Sequence, residues 1–234
     1  NNCLYYNTKI SSESTATFTE CVEADPMFVD AANADFMLYA ESPAVGAGTN
    51  GSNLGDPRWG VKAGIQPGEG KLKDAVDAAQ PGATIVLGDE TYEVSTSIEF
   101  NKKGLTIVAA EGTSPIIKLV DAGGNSSLKL SATTTFNGIT FDGNNITKYP
   151  VTSTGTDANQ FTFVNCEFKN YTKWAITNEY GSSHVDNVII DKCLFHDGGS
   201  AVYFNSNGYN GQHSCSYFKM TNTTIYNINY DDWG

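Results

Sequence analysis

Arginine is almost missing from this chain. Arg58 is the only one, and lysine and arginine together number 14 against 26 acidic residues, a formal charge of -12. That balance repels phosphate backbones and anionic head groups, so nucleic acid and membrane surfaces are disfavoured as partners. A neutral glycan, or a cation bridging to an acidic one, fits better. Long apolar runs are missing too: TIVL and PIIKLV are the longest candidates, far short of the about 20 residues that span a bilayer, so no membrane insertion is expected. No CxxC occurs, and His184, His196 and His213 form no paired motif, which removes the zinc patterns. The cysteines, Cys3, Cys21, Cys166, Cys193 and Cys215, are odd in number, so at least one thiol stays unpaired. Buried structural cysteine is a plainer role for them than redox or metal chemistry.

Asn, Thr, Ser, Gly and Tyr are abundant instead, a composition typical of exported bacterial surface proteins, and an extracellular or outer-surface location is expected. The first residue is Asn1, so a leader has been removed or the chain is a piece of a longer one. With 234 residues and 40% hydrophobic content, it can hold one large domain or two smaller ones around a buried core.

The opening phrase NCLYYN, from Asn2, returns as NCEFKN from Asn165, KCLFHD from Lys192 and NTTIYN from Asn222, with GITFDG from Gly138 as a looser copy. Phe141, Phe168, Phe195 and Ile225 occupy one position of this frame at intervals of 27, 27 and 30 residues. A second phrase keeps the same step, since KWAITNEYG aligns with SAVYFNSNG, placing Asn178 and Asn205 27 apart. Two independent phrases sharing one period indicate a solenoid, and the units show short β-type alternation without helical periodicity. Each unit is therefore read as one turn of a parallel β-helix, with equivalent side chains stacked in columns at roughly 4.8 Å. Alternation puts Cys166, Phe168, Cys193 and Phe195 inside and Glu167, Lys169, Leu194 and His196 outside. Cys166 above Cys193 is a stacked pair that permits a disulfide in principle, a reduced ladder being the commoner outcome. Asn170, Asp197 and Asn227 fill a turn column that tolerates left-handed backbone.

Leu72, Ala75, Val76 and Ala79 fall at i, i+3, i+4 and i+7 within GKLKDAVDAAQPG, which predicts an amphipathic helix over 70–80 stopped by Pro81-Gly82. Strand-like TIVL, TYEV, SIEF, LTIV and PIIKLV follow it. A helix before the first turn would cover an open apolar end. The fold class expected is thus all-β, a right-handed parallel β-helix with a short N-terminal capping helix on its second part.

LKDAVDAAQPGATIVLGDETYEV, Leu72 to Val94, resembles the head of pectin-lyase-like right-handed β-helices, in the style of chondroitinase-B-like surface proteins of glycan-degrading gut bacteria. DPMFVDAANADFMLYAESPAVGAG with LGDPRW, Asp25 to Trp59, resembles the tail that closes such proteins. Tail precedes head. The expected organisation is a last turn and closing tail over 1–60, a linker over 61–69 and a second β-helix over 70–234, in a tandem or a piece of a longer chain whose further turns would be partners. A circularly permuted single solenoid is the rival arrangement.

The resemblance implies polysaccharide as partner and lyase chemistry on an acidic glycan, in which a donor or cation neutralises a uronate, a base removes the adjacent proton and an acid assists the leaving oxygen. Relatives of this kind use Lys or Arg as base, often with calcium, so the cofactor expectation is none or Ca2+. Arg58 lies in the tail phrase, where an ion pair or stacking contact is its plainer role. The candidates on the turns are Lys173, His196 and Tyr203 for catalysis, Lys169, Lys192, Trp174 and Asn205 for substrate binding, and Asn178 with Glu179 for the metal. Each has an ordinary alternative: solubilising lysines, an asparagine ladder, a histidine in a polar column. Glycoside hydrolysis ranks lower, because Asp142, Glu167 and Asp197 belong to different columns or point singly. A non-catalytic sugar binder using aromatic faces, or a structural or adhesin solenoid, is the alternative class.

Overall fold

A computed structural model describes residues 3–8, 21–155, 159–178, 184–204 and 215–229. The chain divides into two compact units, Asn1–Gln66 and Pro67–Gly234.

In the first unit β1 (Cys3–Tyr5) pairs in parallel with β2 (Cys21–Glu23), and a disulfide joins the register partners Cys3 and Cys21, whose Cα atoms are 4.5 Å apart. β3 (Phe28–Asp30) pairs antiparallel with β4 (Asp35–Tyr39), which pairs in parallel with β5 (Val61–Lys62). Phe36 holds these pieces together, meeting Phe28 and Trp59 edge to face at 5.3 and 5.4 Å. Arg58 forks onto Asp56, which lowers the Asp56 pKa. With the Arg58 side chain 83% exposed, this local pair adds little stability.

The second unit opens with α1 (Lys71–Ala78), whose Leu72 and Val76 are buried. Lys102 donates to the carbonyls of Val76 and Asp77 at its C-terminal end, where the helix dipole favours a cation. Fifteen strands follow among the described residues: β6 (Thr84–Leu87), β7 (Thr91–Val94), β8 (Ile98–Phe100), β9 (Leu105–Ala109), β10 (Ile116–Leu119), β11 (Leu128–Leu130), β12 (Thr134–Asn137), β13 (Thr140–Asp142), β14 (Val151–Ser153), β15 (Gln160–Val164), β16 (Glu167–Asn178), β17 (Val185–Asp191), β18 (Leu194–Tyr203), β19 (Cys215–Thr221) and β20 (Thr224–Ile228). They wind into about six coils of a right-handed parallel β-solenoid, consistent with the pectin-lyase-like fold.

The first face is β6-β9-β12-β15-β17-β19. The second runs β7-β10-β13-β16-β18-β20 and the third β8-β11-β14-β16-β18, because the long β16 and β18 turn the corner between them. That corner is made by left-handed residues, Asn170, Asp197 and Asn227 at φ 56°, 50° and 49°. The corner before the second face is made the same way by Gly138, Asn165, Lys192 and Asn222. Asn and Asp tolerate this conformation and their side chains tie one coil to the next. Asn170 Nδ2 donates to Asp142 Oδ1 at 3.0 Å, Asn222 Nδ2 to Asp191 Oδ1 at 2.8 Å, and Asn227 Nδ2 to Asp197 Oδ1.

The core is a set of columns. On the second face Tyr92, Ile117, Phe141, Phe168, Phe195 and Ile225 are register partners in succession. The Phe141, Phe168 and Phe195 rings stack nearly parallel at 4.5 and 4.6 Å. Cys166 and Cys193 are buried free thiols, inward as the alternation requires.

Candidate functional site

Outward residues of the second face form a ladder of their own. Successive register partners are Glu93, Lys118, Asp142, Lys169, His196 and Tyr226. Charge alternates along the first four, so each side chain has an opposite charge one coil away. At His196 the alternation breaks, since Lys169 and His196 are both basic. The structure compensates from the side.

His196 is 8% exposed although it points outward. Its Nε2 is 2.8 Å from Glu167 Oε1, and its Nδ1 is 2.6 Å from Asp197 Oδ2. A carboxylate only accepts, so with one at each ring nitrogen the site favours the doubly protonated imidazolium. Burial is the largest single influence on its pKa and opposes the charge, yet the bonds to Glu167 and Asp197 outweigh it and the net shift is upward. Tyr226 covers the ring face in parallel, at 4.9 Å. Glu167 also accepts from Thr140 Oγ1 at 2.9 Å and pairs with Lys169 at 3.5 Å. Burial raises its pKa, but the bonds from His196 and Thr140 prevail and the net shift is downward. Asp197 is lowered by His196 first and Asn227 second.

These contacts correct the expectation that Glu167 and Asp197 point singly. They do lie in different columns, but the left-handed corner turns Asp197 back onto its neighbour, and Glu167 reaches diagonally across from the preceding coil. The three groups bind their coils together in a pH-dependent way. His196 binds its proton more tightly folded than unfolded, so its contribution is complete below pH about 6.5 and is lost as pH rises through the higher folded value. Glu167 and Asp197 contribute above about pH 4.3 and 3.9, and lose that contribution as pH falls through their lower folded values. The melting temperature should therefore be highest in a window around pH 5 to 6, and His196→Gln should remove the decline on its alkaline side. Melting curves across pH for both proteins check this; an unchanged alkaline decline in the variant would contradict it.

The other expected site residues are distributed by the same corner. Lys169 and His196 lie before it, on the second face. Lys173, Trp174 and Tyr203 lie beyond it, where Trp174 stacks on Tyr149 at 5.3 Å and on Tyr203 at 4.1 Å, and Lys173 Nζ is 6.0 Å from the Trp174 ring centroid. The structure thus separates the proposed base Lys173 from the proposed acid His196 by a solenoid corner. It brings Lys173, Trp174 and Tyr203 together, but the faces a sugar would stack on are largely taken by neighbouring rings. Lys192 is exposed at the other corner, in left-handed backbone.

Asn178 is the described half of the expected metal pair. It is buried, in register with Ser153 and, through it, with the inward residues Leu130 and Phe100. Ala175 to Asn178 are all buried in succession, so alternation does not sort this end of β16 into an inner and an outer side. Glu179 and Asn205 lie outside the described residues. Among the described residues no group of three or more His, Cys, Asp or Glu has metal-binding geometry. No helix among them is long and apolar enough to cross a membrane.

Of the contacts around His196, the one to Asp197 is made by the corner and the one to Glu167 by a diagonal reach, and neither carries a spacing signal, whereas Tyr226 is its register partner in the repeat. The Cys3–Cys21 bond was equally silent, since Cys21 belongs to no copy of the repeat. Compared with known proteins, the chain matches no protein-family model, and no curated protein matches it.

Proposed function

We propose that this chain is an exported or cell-surface β-helix that binds polysaccharide along the outer side of its second face. The observation that supports this reading is the ladder Glu93, Lys118, Asp142, Lys169, His196, Tyr226, a hydrogen-bonding side chain repeated on every coil. A polymer of repeating sugars meets a repeating set of polar groups there, with the strands setting a step of roughly 4.8 Å. Export is supported by the Cys3–Cys21 disulfide, a bond that persists in oxidising compartments. Binding is favoured over cleavage because a solenoid corner lies between Lys173, the expected base, and His196, the expected acid, and both His196 ring nitrogens are engaged by Glu167 and Asp197.

Lyase action on an acidic glycan is the second reading. It is supported by Lys169 and His196 lying in register on successive coils, basic groups of the kind that neutralise a uronate carboxylate. Affinity electrophoresis through neutral and acidic glycans (pectin, chondroitin sulfate, alginate and heparin among the acidic ones), with and without calcium, tests both. Retardation by at least one glycan, weakened in Lys118→Ala and Tyr226→Ala variants of unchanged circular dichroism, is the expected result. An absorbance rise from unsaturated product would replace binding by the lyase reading. No retardation and no product would leave a purely structural solenoid and overturn the proposal.

A further inference from the structure

We propose that Cys166 and Cys193 are a latent cross-link site, joined as a disulfide when the chain folds under oxidising conditions. The two residues directly precede Glu167 and Leu194, which are register partners on β16 and β18, and Leu194 N–H donates to the Cys166 carbonyl at 2.9 Å. They therefore sit one above the other on adjacent coils, with parallel Cα–Cβ directions into the core. Both are buried, at 2% and 3% exposure, and their thiols face equivalent carbonyls, Cys166 Sγ those of Phe136 and Val164 and Cys193 Sγ those of Phe163 and Asp191.

The chain contains its own precedent. Cys3, which opens the same sequence frame as Cys166 and Cys193, is disulfide-bonded to Cys21, its in-register partner on an adjacent parallel strand. That Cα separation of 4.5 Å lies within the range a disulfide spans. Stacked, in-register cysteines of a parallel ladder are therefore within bonding reach in this protein. Cys215 makes the contrast: its register partner is Val185, and its Sγ is directed at the Tyr217 carbonyl. It has no cysteine in its column and stays a thiol.

The chemistry is ordinary exchange with a small disulfide such as oxidised glutathione. One cysteine thiolate attacks it, forming a mixed disulfide and releasing one glutathione thiolate. The second cysteine thiolate then attacks the protein sulfur of that mixed disulfide, closing the S–S bond and releasing the second glutathione. The two protons lost by the cysteines end on the two glutathione thiols. Burial pushes the Cys166 thiol well up, so the finished core is slow to react and the bond forms while the fourth and fifth coils are still closing. It would tie together the two coils across which Glu167 meets His196.

The test is oxidative refolding of the full chain carrying Cys215→Ser, in a glutathione redox buffer, followed by thiol counting in denaturant and peptide mapping. Formation of Cys3–Cys21 serves as the internal control for oxidising power. The free thiol count is expected to fall from four to none, with Cys166 and Cys193 recovered in one cross-linked peptide pair. Two thiols persisting at Cys166 and Cys193 while Cys3–Cys21 forms would overturn the proposal. So would their recovery as separate glutathione adducts.

Discussion

Replacing Phe168 by alanine is expected to destabilise the second unit by about 3–5 kcal/mol, the cost of deleting a fully buried aromatic ring and leaving a cavity. Phe168 lies in the middle of a column, stacked on Phe141 below and Phe195 above, with Phe163 edge-on at 5.6 Å. In a solenoid each coil rests on its neighbours alone, so a weakened interface releases the coils beyond it. Against a total of about 5–15 kcal/mol for a typical domain, the loss is a large share. Ile225 supplies the comparison, because it belongs to the same column but is 47% exposed. Ile225→Ala should cost far less. Urea unfolding of both variants measures the difference, and equal losses would argue against a graded column.

The second large effect is expected at Gly199, for a steric reason. A Cβ there would lie 2.1 Å from the Lys173 carbonyl oxygen and 2.8 Å from its carbon, both backbone atoms that no rotamer can move. Gly198 has a parallel role, since its missing side chain leaves room for the buried Tyr171 ring. Gly199→Ala must therefore push β18 away from β16 just past the corner, and overpacking of this severity costs more than about 3 kcal/mol. Gly60→Ala is the control, with nothing within 4 Å of the added methyl, and should stay within about 0.5 kcal/mol of the parent. Thermal unfolding that ranks the two variants alike would show that the close approach at Gly199 is not maintained in solution.

The coils were legible in the sequence because stacking demands like residues at like intervals. Phe141, Phe168 and Phe195 must be flat and similar to lie ring on ring, and Asn170, Asp197 and Asn227 must be short and polar to take left-handed backbone. The helix over Lys71–Ala78 was legible from Leu72 and Val76, which are buried on one side of it. The candidate site was much less so. Alternation says which way a residue points only until the next corner or bulge, and Trp174 and Asn178 lie beyond both. The pairing of His196 with Glu167 and Asp197 depends on a side chain returning across a corner, a three-dimensional relation that no one-dimensional period encodes. Trp174 and Tyr203 lie in phrases that share the 27-residue step but not at equivalent positions of them, so the period gives no sign that their rings stack on each other or on Tyr149.

The central claim is that residues 27 positions apart lie directly over one another. Nuclear Overhauser measurements on protein with selectively labelled phenylalanine test it most directly. Cross-peaks between the rings of Phe141 and Phe168, and between Phe168 and Phe195, are predicted from centroid separations of 4.5 and 4.6 Å. Rings that show no such contact, with Phe168 and Phe195 in unrelated environments, would contradict the solenoid and everything built on its columns.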